Sequence, residues 1–304
     1  MRVFVTGATG FVGSAIVREL IDAGHEVLGL ARTDEAAAAL AAAGAAIHRG
    51  SLDDLDSLRQ GVAEADGVIH AAFIHNFSDL TAAGETDRLA VEAMGAELAQ
   101  SGRPLVVTSV IGHLIPGQLG TEESSPNTDS SVKHRAGTEE AALSLASQGV
   151  RVSVVRLPLS VHGDGDTGFV PGLIQIARNT GVSAYVGDGL NRWPAVHQLD
   201  AAHLYRLALE TAPAGATLHA IGDEGVPVRE IAGIIGRRLG LPAVGIPPEE
   251  ATGHFGWLAH IVSMDIPASS ARTQEQLGWK PVHPDFLPDL DREQYFTTNG
   301  HRNG

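Results

Sequence analysis

Residues 6–13 read Thr-Gly-Ala-Thr-Gly-Phe-Val-Gly. They directly follow an apolar, β-branched run from Arg2 to Thr6 and open a helical pattern at Phe11, and that context makes the glycines informative. Gly7 permits a tight turn, Gly10 lets the backbone approach a pyrophosphate, and Gly13 lets the helix pack on the strand. The helix amino terminus adds oriented N–H donors and a positive dipole end. The spacing predicts a dinucleotide site. Nineteen residues beyond Gly13, at the end of Leu28-Gly29-Leu30-Ala31-Arg32, a site for NAD would carry an acid for the ribose 2′-hydroxyl. Arg32 instead offers a planar donor fork suited to a 2′-phosphate, so NADP(H) is the expected cofactor, the alternative being a solvated surface arginine. Asp34 is placed to cap the next helix.

The elements that must hold these residues alternate from Arg2 to Arg156. Short apolar runs at Arg2 to Thr6, Glu26 to Leu30, Ala46 to Arg49, Gly67 to His70, Leu105 to Ser109 and Arg151 to Arg156 read as strands. Helical patterns lie between them, at Phe11 to Ala23, Glu35 to Ala43, Leu55 to Ala63, Thr86 to Gln100 and Lys133 to Gln148. This is the pattern of a doubly wound, parallel α/β sheet of the Rossmann type, covered on both faces. A dinucleotide-binding domain over 1–158 is expected, followed by a smaller, proline- and glycine-interrupted substrate-binding lobe over 159–304.

Composition sets the outer limits. A chain of 304 residues with 43% hydrophobic and 19% charged side chains can bury a large core. The absence of cysteine excludes disulfides, thiolate metal sites and a cysteine nucleophile. A net charge of −15 disfavours nucleic acid and anionic membrane surfaces as partners. No apolar stretch approaches 18 residues and the first residues already read as a strand, so a cytoplasmic protein is expected.

The segments TGATGFVG, LAR after the second strand, GVIHAAF, VVTSV and RLPLSVHG resemble the extended and atypical short-chain dehydrogenase/reductase family, the NAD(P)-dependent epimerase/dehydratase group, over nearly the whole chain. The resemblance implies that Gly7, Thr9, Gly10, Phe11, Val12 and Gly13 hold the pyrophosphate and Arg32 the ribose phosphate. It places Ser51 and Leu52 on the adenine side, Ala71, Ala72 and Phe73 along the cofactor, and Pro158 and Leu159 near the nicotinamide. Asp200 to Ala208 resembles the helix, near 199–210, that returns to the nucleotide domain, and the family suggests a homodimer through two exposed helices.

The family's chemistry needs a serine or threonine after strand five, met by Thr108 and by Ser109, which is expected beside the nicotinamide to orient a substrate oxygen, and a Tyr-x-x-x-Lys one helix later. With Glu139 as the family's helix anchor, Arg135 falls in the lysine position, where it would bind the cofactor and keep positive charge by the ribose, and Ser131 in the tyrosine position. Both catalytic residues are therefore replaced. Ser131 with Lys133 and His134 as neighbouring bases is one substitute; a capping role for Ser131 is the other reading. Among the 14 histidines, His113 follows strand five and His162 stands where the family often has a tyrosine, so both are candidate substrate contacts. Trp193 is a candidate apolar wall for a small or medium ligand, or packs between the lobes. No histidine spacing makes a metal site, and Gly163 to Gly168 lacks the late glutamate of a calcium loop. Three functions compete: an NADP(H)-dependent oxidoreductase acting on a carbonyl or alcohol, a nucleotide-sugar epimerase or dehydratase, and a non-catalytic NADP(H)-binding sensor.

Overall fold

Val3, Phe4 and Val5 are all inaccessible to solvent, so consecutive residues of the first strand are buried on opposite faces. That happens only in a sheet covered on both sides. The computed structural model describes residues 1–75, 79–127 and 133–297. Its strands are β1 (Arg2–Thr6), β2 (Glu26–Ala31), β3 (Ala46–Arg49), β4 (Gly67–His70), β5 (Pro104–Val110), β6 (Arg151–Leu157), β7 (Ser160–His162), β8 (Ser183–Val186), β9 (Arg192–His197), β10 (Ala216–His219), β11 (Asp223–Pro227) and β12 (Ala243–Ile246). The main helices are α1 (Phe11–Asp22), α2 (Asp34–Ala42), α3 (Leu55–Ala63), α4 (Leu80–Leu98), α5 (Lys133–Ser144), α6 (Phe169–Thr180), α7 (Gln198–Thr211) and α8 (Val228–Leu239).

Seven strands form one parallel sheet in the order β10-β6-β5-β4-β1-β2-β3. Strand order reverses between β1 and β4, whose register ends at Thr6 beside His70. Open α/β sheets bind ligands outside the carboxyl ends of their strands at such a reversal. Ile16, Val17, Leu40, Leu204 and Tyr205 of α1, α2 and α7 pack one face of the sheet. Leu58, Met94, Leu98 and Ala142 of α3, α4 and α5 pack the other.

Two elements differ from the sequence reading. Helix α4 starts at Leu80 and not at Thr86, because Asp79 accepts a hydrogen bond from Ala82 N at 2.9 Å and so caps an earlier turn. The returning segment is also longer than a helix: β10 follows α7 and pairs with β6 from Ala216 beside Ser153 to His219 beside Arg156. Asp200, read as the acid at the start of α7, accepts from Val282 N and His283 N at 3.0 Å and thereby anchors the chain's last segment. Trp279 Nε1 donates to Asp200 O at 3.0 Å beside it.

The remaining strands make a three-stranded sheet, β11-β9-β7, and a pair, β12-β8. These pack with α6 and α8 around Val170, Trp193, Ile231 and Phe286. Among the described residues no helix is long and apolar enough to cross a membrane, and no three metal-ligating side chains converge.

Candidate active site

Helices α2, α3 and α4 each begin on a side chain that accepts a first-turn N–H: Thr33 from Ala36, Asp54 from Ser57 and Asp79 from Ala82. Helix α1 begins on Gly10 with no side-chain cap and no acid in its first turn. Its free N–H groups and dipole therefore face the crevice, where an anion can satisfy them. Gly7 sits at φ +66°, and a Cβ there would stand 2.7 Å from Ala71 C and Ala72 N, so the chain leaving β4 crosses directly over the turn. A Cβ on Gly13 would lie 1.9 Å from Gly7 O. Gly10 would meet only Gly7 O, at 3.3 Å, and is otherwise open. The cradle fits a pyrophosphate. Gly13→Ala is expected to push α1 off the turn and to weaken binding of a reduced nicotinamide dinucleotide by at least about tenfold, measured by cofactor fluorescence, since close approach is what binds the diphosphate.

At the end of β2, Arg32 is exposed and, among the described residues, has no ion-pair partner within 4.0 Å. Ser51 donates to Asp53, whose carboxyl is held low by that hydrogen bond, and Leu52 is buried beneath. The second arginine of this corner, Arg49, pairs with Asp34.

Beside the chain that leaves β4, Arg135 is buried with both terminal nitrogens engaged. Nη1 donates to Asp87 Oδ2 at 2.8 Å, Nη2 to Thr108 O at 2.6 Å, and the guanidinium lies 4.2 Å over the Phe73 ring. Only Nε lacks a partner. Asp87 Oδ1 lies 3.0 Å from His70 Nε2, and His70 Nδ1 lies 2.7 Å from Thr6 Oγ1. A carboxylate only accepts, so Nε2 carries the imidazole proton and Nδ1 accepts from the Thr6 hydroxyl, whose oxygen accepts from Ala72 N at 3.3 Å. A buried chain of hydrogen bonds thus joins the strand before the glycine turn to β4, α4 and α5. Burial alone would raise the Asp87 carboxyl, but the Arg135 charge and the His70 hydrogen bond outweigh it and hold it below the carboxylate range. Thr108 Oγ1 donates to His70 O at 2.8 Å and accepts from the Tyr205 hydroxyl at 2.7 Å.

Phe73 is framed by imidazoles as well. His134 stacks on it with ring centroids 5.9 Å apart, and His75 meets its edge at 5.4 Å. Burial, with Arg135 adding to it, lowers both histidines, which keeps them neutral. Ser131 lies outside the described residues, as does the side chain of Lys133.

Four expected contacts require correction. Ser109 is 1% exposed and its hydroxyl, without a hydrogen-bond partner, lies near the buried Glu139. His113 is fully buried beside Glu139, with Nε2 3.5 Å from the carboxylate, because β5 runs into the packed turn Ile111–His113. His162 is buried against Asp289, its Nδ1 3.0 Å from the carboxylate, and Trp193 packs on Phe169 inside the core around α6 and α8. None of the last three offers surface to a substrate in this structure. Pro158 is buried and Leu159 packs partly buried on that same core.

The sequence reading missed His70 and Asp87. Asp87 carried a signal: it stands four residues after Ala83 and four before Val91 on the buried stripe of α4, an acid where packing asks for an apolar side chain. His70 carried none, since a histidine ending a strand is unremarkable by itself. A cleft of about 890 Å³ runs from Ala8 and Thr9 of the glycine turn along Ser14, Arg18 and Asp22 to Gln198 and Leu199; it includes neither Phe73 nor Arg135.

Known proteins resemble the chain along its length. An uncharacterised protein of Schizosaccharomyces pombe is 52% identical over 297 residues, 97% of this chain and 100% of the relative. A 4-hydroxy-2-methyl-3-oxo-4-farnesyl-3,4-dihydroquinoline-1-oxide ketoreductase of Stigmatella aurantiaca is 29% identical over 289 residues, 88% of this chain and 84% of the relative. A dTDP-glucose 4,6-dehydratase of Streptomyces venezuelae, solved with NAD bound, superposes with a TM-score of 0.79 over 97% of both chains at 22% identity, which speaks for the fold. The model of the NAD dependent epimerase/dehydratase family matches residues 3–221, and the chain, with its α/β sheet, uncapped α1 and glycine cradle, belongs to that family.

Proposed function

We propose that the protein is an NADP(H)-dependent oxidoreductase that reduces a carbonyl, or oxidises the matching alcohol, of a small or medium organic substrate. The observation that carries this reading is the open amino terminus of α1 over the Gly7 cradle, with Arg32 unpaired at the end of β2. When bound, the nicotinamide supplies a hydride. The chain's own residues bind and orient: α1 takes the diphosphate, Ala71 to Phe73 back the cofactor, and the Asp87–Arg135 pair fixes Phe73 and the end of β5.

No phenol acts here. The three tyrosines are Tyr205, buried beneath Thr108 with its phenol held protonated by burial; Tyr185, in β8; and Tyr295, bonded to Gly163 N at 3.0 Å. Arg135 cannot relay a proton, because guanidinium does not deprotonate in proteins. Since burial keeps His75 and His134 neutral, proton supply falls to Ser131 or to water, and hydride proximity carries most of the rate. A slow or narrowly specific enzyme follows, since a positioned general acid typically contributes about 10² to 10⁴ in rate. Relatives divide between the two enzyme readings, a ketoreductase at 29% identity and a UDP-glucose 4-epimerase of Streptomyces lividans at 28% over 98% of this chain; the missing Tyr-x-x-x-Lys, on which an epimerase depends more directly, favours the reductase. The commitment of Arg135 to Asp87 and Thr108 O favours, as the second reading, a sensor that binds NADP(H) without turnover.

Loss of absorbance at the reduced nicotinamide band against a panel of aldehydes, ketones and imines tests the reaction. Oxidation of NADPH by at least one carbonyl supports the reductase; binding without oxidation across the panel selects the sensor, and interconversion of a nucleotide sugar without net oxidation selects the epimerase. Arg32→Ala is expected to erase a preference for NADPH of roughly ten- to a hundredfold, the scale of one charge-assisted contact. Equal dissociation constants for NADPH and NADH in the wild type would remove Arg32 from the site.

A further inference from the structure

The parallel register of β2 and β3 sets Arg49 beside Ala31, so the last residue of β3 stands next to the residue that precedes Arg32. Gly50 N donates to Ala31 O at 3.3 Å and keeps the two strand ends together. Along β3, His48 turns inward: its ring meets Phe4 edge-on at 5.4 Å and its Nε2 lies 2.8 Å from Ser57 O. Strand alternation then sends Arg49 to the opposite face, the one that α2 covers. There it pairs with Asp34, the first residue of α2. The pair is held only at the surface, with side-chain exposures of 52% for Arg49 and 91% for Asp34. Exposed pairs of this kind hold their partners weakly, so Arg49 exchanges Asp34 for a better anion at little cost.

Two guanidinium groups thus bracket the end of β2, the place where a dinucleotide's adenosine ribose lies, in a chain of net charge −15. Among the described residues one of them has no ion-pair partner, and the other has a replaceable one. The neighbouring acid Asp53 accepts from Ser51 and also feels the Arg32 charge. A 2′-hydroxyl gives Arg49 nothing better than Asp34. A 2′-phosphate does, because guanidinium and phosphate match in charge and in donor geometry.

We infer that Arg49 is a second ligand of the cofactor's 2′-phosphate, releasing Asp34 when NADP(H) binds, and that Arg49 and Arg32 together determine cofactor choice. The inference rests on the NADP(H) reading of the site. Asp34 keeps Arg49 extended beside the ribose position in the free protein and, as an acid close to the incoming phosphate, opposes its binding.

Dissociation constants for NADPH, NADH, adenosine 2′,5′-bisphosphate and adenosine 5′-monophosphate test this on the wild type and on Arg49→Ala, Arg49→Lys, Asp34→Asn and Arg32→Ala. Arg49→Ala is expected to weaken the two 2′-phosphorylated ligands about tenfold and to leave the other two within about twofold, as loss of one charge-assisted contact requires. Arg49→Lys falls between, because a point charge replaces the fork. Asp34→Asn tightens the 2′-phosphorylated ligands. Equal effects of Arg49→Ala on all four ligands, or none, would overturn the role of Arg49. If Arg32→Ala removes discrimination while Arg49→Ala does not, the role of Arg49 alone fails; if the wild type does not discriminate at all, the NADP(H) reading fails and this inference with it.

Discussion

Asp87→Ala is expected to destabilise the protein by about 3–5 kcal/mol, the cost of leaving one member of a buried ion pair without its partner. Arg135 is 5% exposed and Asp87 1%, so neither charge has water to turn to. The same change strips His70 Nε2 of its acceptor and loosens Thr6 and Ala72 beside the glycine turn, so NADPH binding falls together with stability. The paired change Asp87→Leu with Arg135→Met separates the two effects. Apolar replacement of both charges restores most of the stability, while NADPH affinity stays low because Phe73 and the carbonyl of Thr108 lose the guanidinium that holds them. Chemical denaturation and cofactor titration on the three proteins read this out. Single-variant losses under about 1 kcal/mol, the scale of a surface pair, would show that the network is not the support of the site.

Stability is expected to fall steeply as pH drops from about 6.5 to 4. Two buried histidines set this window. Burial carries His113 down to about 4 despite the nearby Glu139, and burial together with the Arg156 charge carries His219 to about 4. His219 Nδ1 donates to Ser269 O at 2.8 Å and Nε2 faces Arg156 Nη1 at 3.3 Å, so a second ring proton would point at a cation. Above pH 6.5 both rings are neutral, folded or unfolded, and stability is at its plateau. Below it the unfolded chain takes up protons that the native protein refuses until about pH 4, and each histidine withdraws on the order of 3 kcal/mol across that interval. Glu139, held low by Arg156 against its own burial, adds to the loss at the acid end. His113→Leu offers the control: neither ring nitrogen has a hydrogen-bond partner, so an apolar replacement costs little at pH 7 and flattens the acid limb. A melting temperature that is level from pH 7 to 4.5, or a His113→Leu profile identical to the wild type, would contradict the assignment.

Local rules made most of the fold legible. The six strands read from Arg2 to Arg156 and the helices between them all form, because each depends on residues within a few positions of one another. The glycine cradle was legible for the same reason, with strand, turn and helix contiguous in sequence. The polar chain behind it was not. His70 and Asp87 lie 17 residues apart and Asp87 and Arg135 48 apart, so their partnership depends on how α4 and α5 pack. The histidines misled for a related reason. A lone histidine says nothing of its burial, which for His162 is decided by Asp289, 127 residues away. Arg49 escaped notice because its neighbour Ala31 is set by sheet register, not by spacing. The missing Tyr-x-x-x-Lys, by contrast, was plain in the sequence, and the folded chain offers Arg135 and Asp87 in that neighbourhood.

Titration of the wild-type protein with NADPH and with NADH, under one buffer and salt, tests the central claim most directly. With α1 uncapped and Arg32 without an ion-pair partner among the described residues, NADPH is expected to bind roughly ten- to a hundredfold more tightly than NADH. Equal affinities, tighter binding of NADH, or no binding of either would contradict the account.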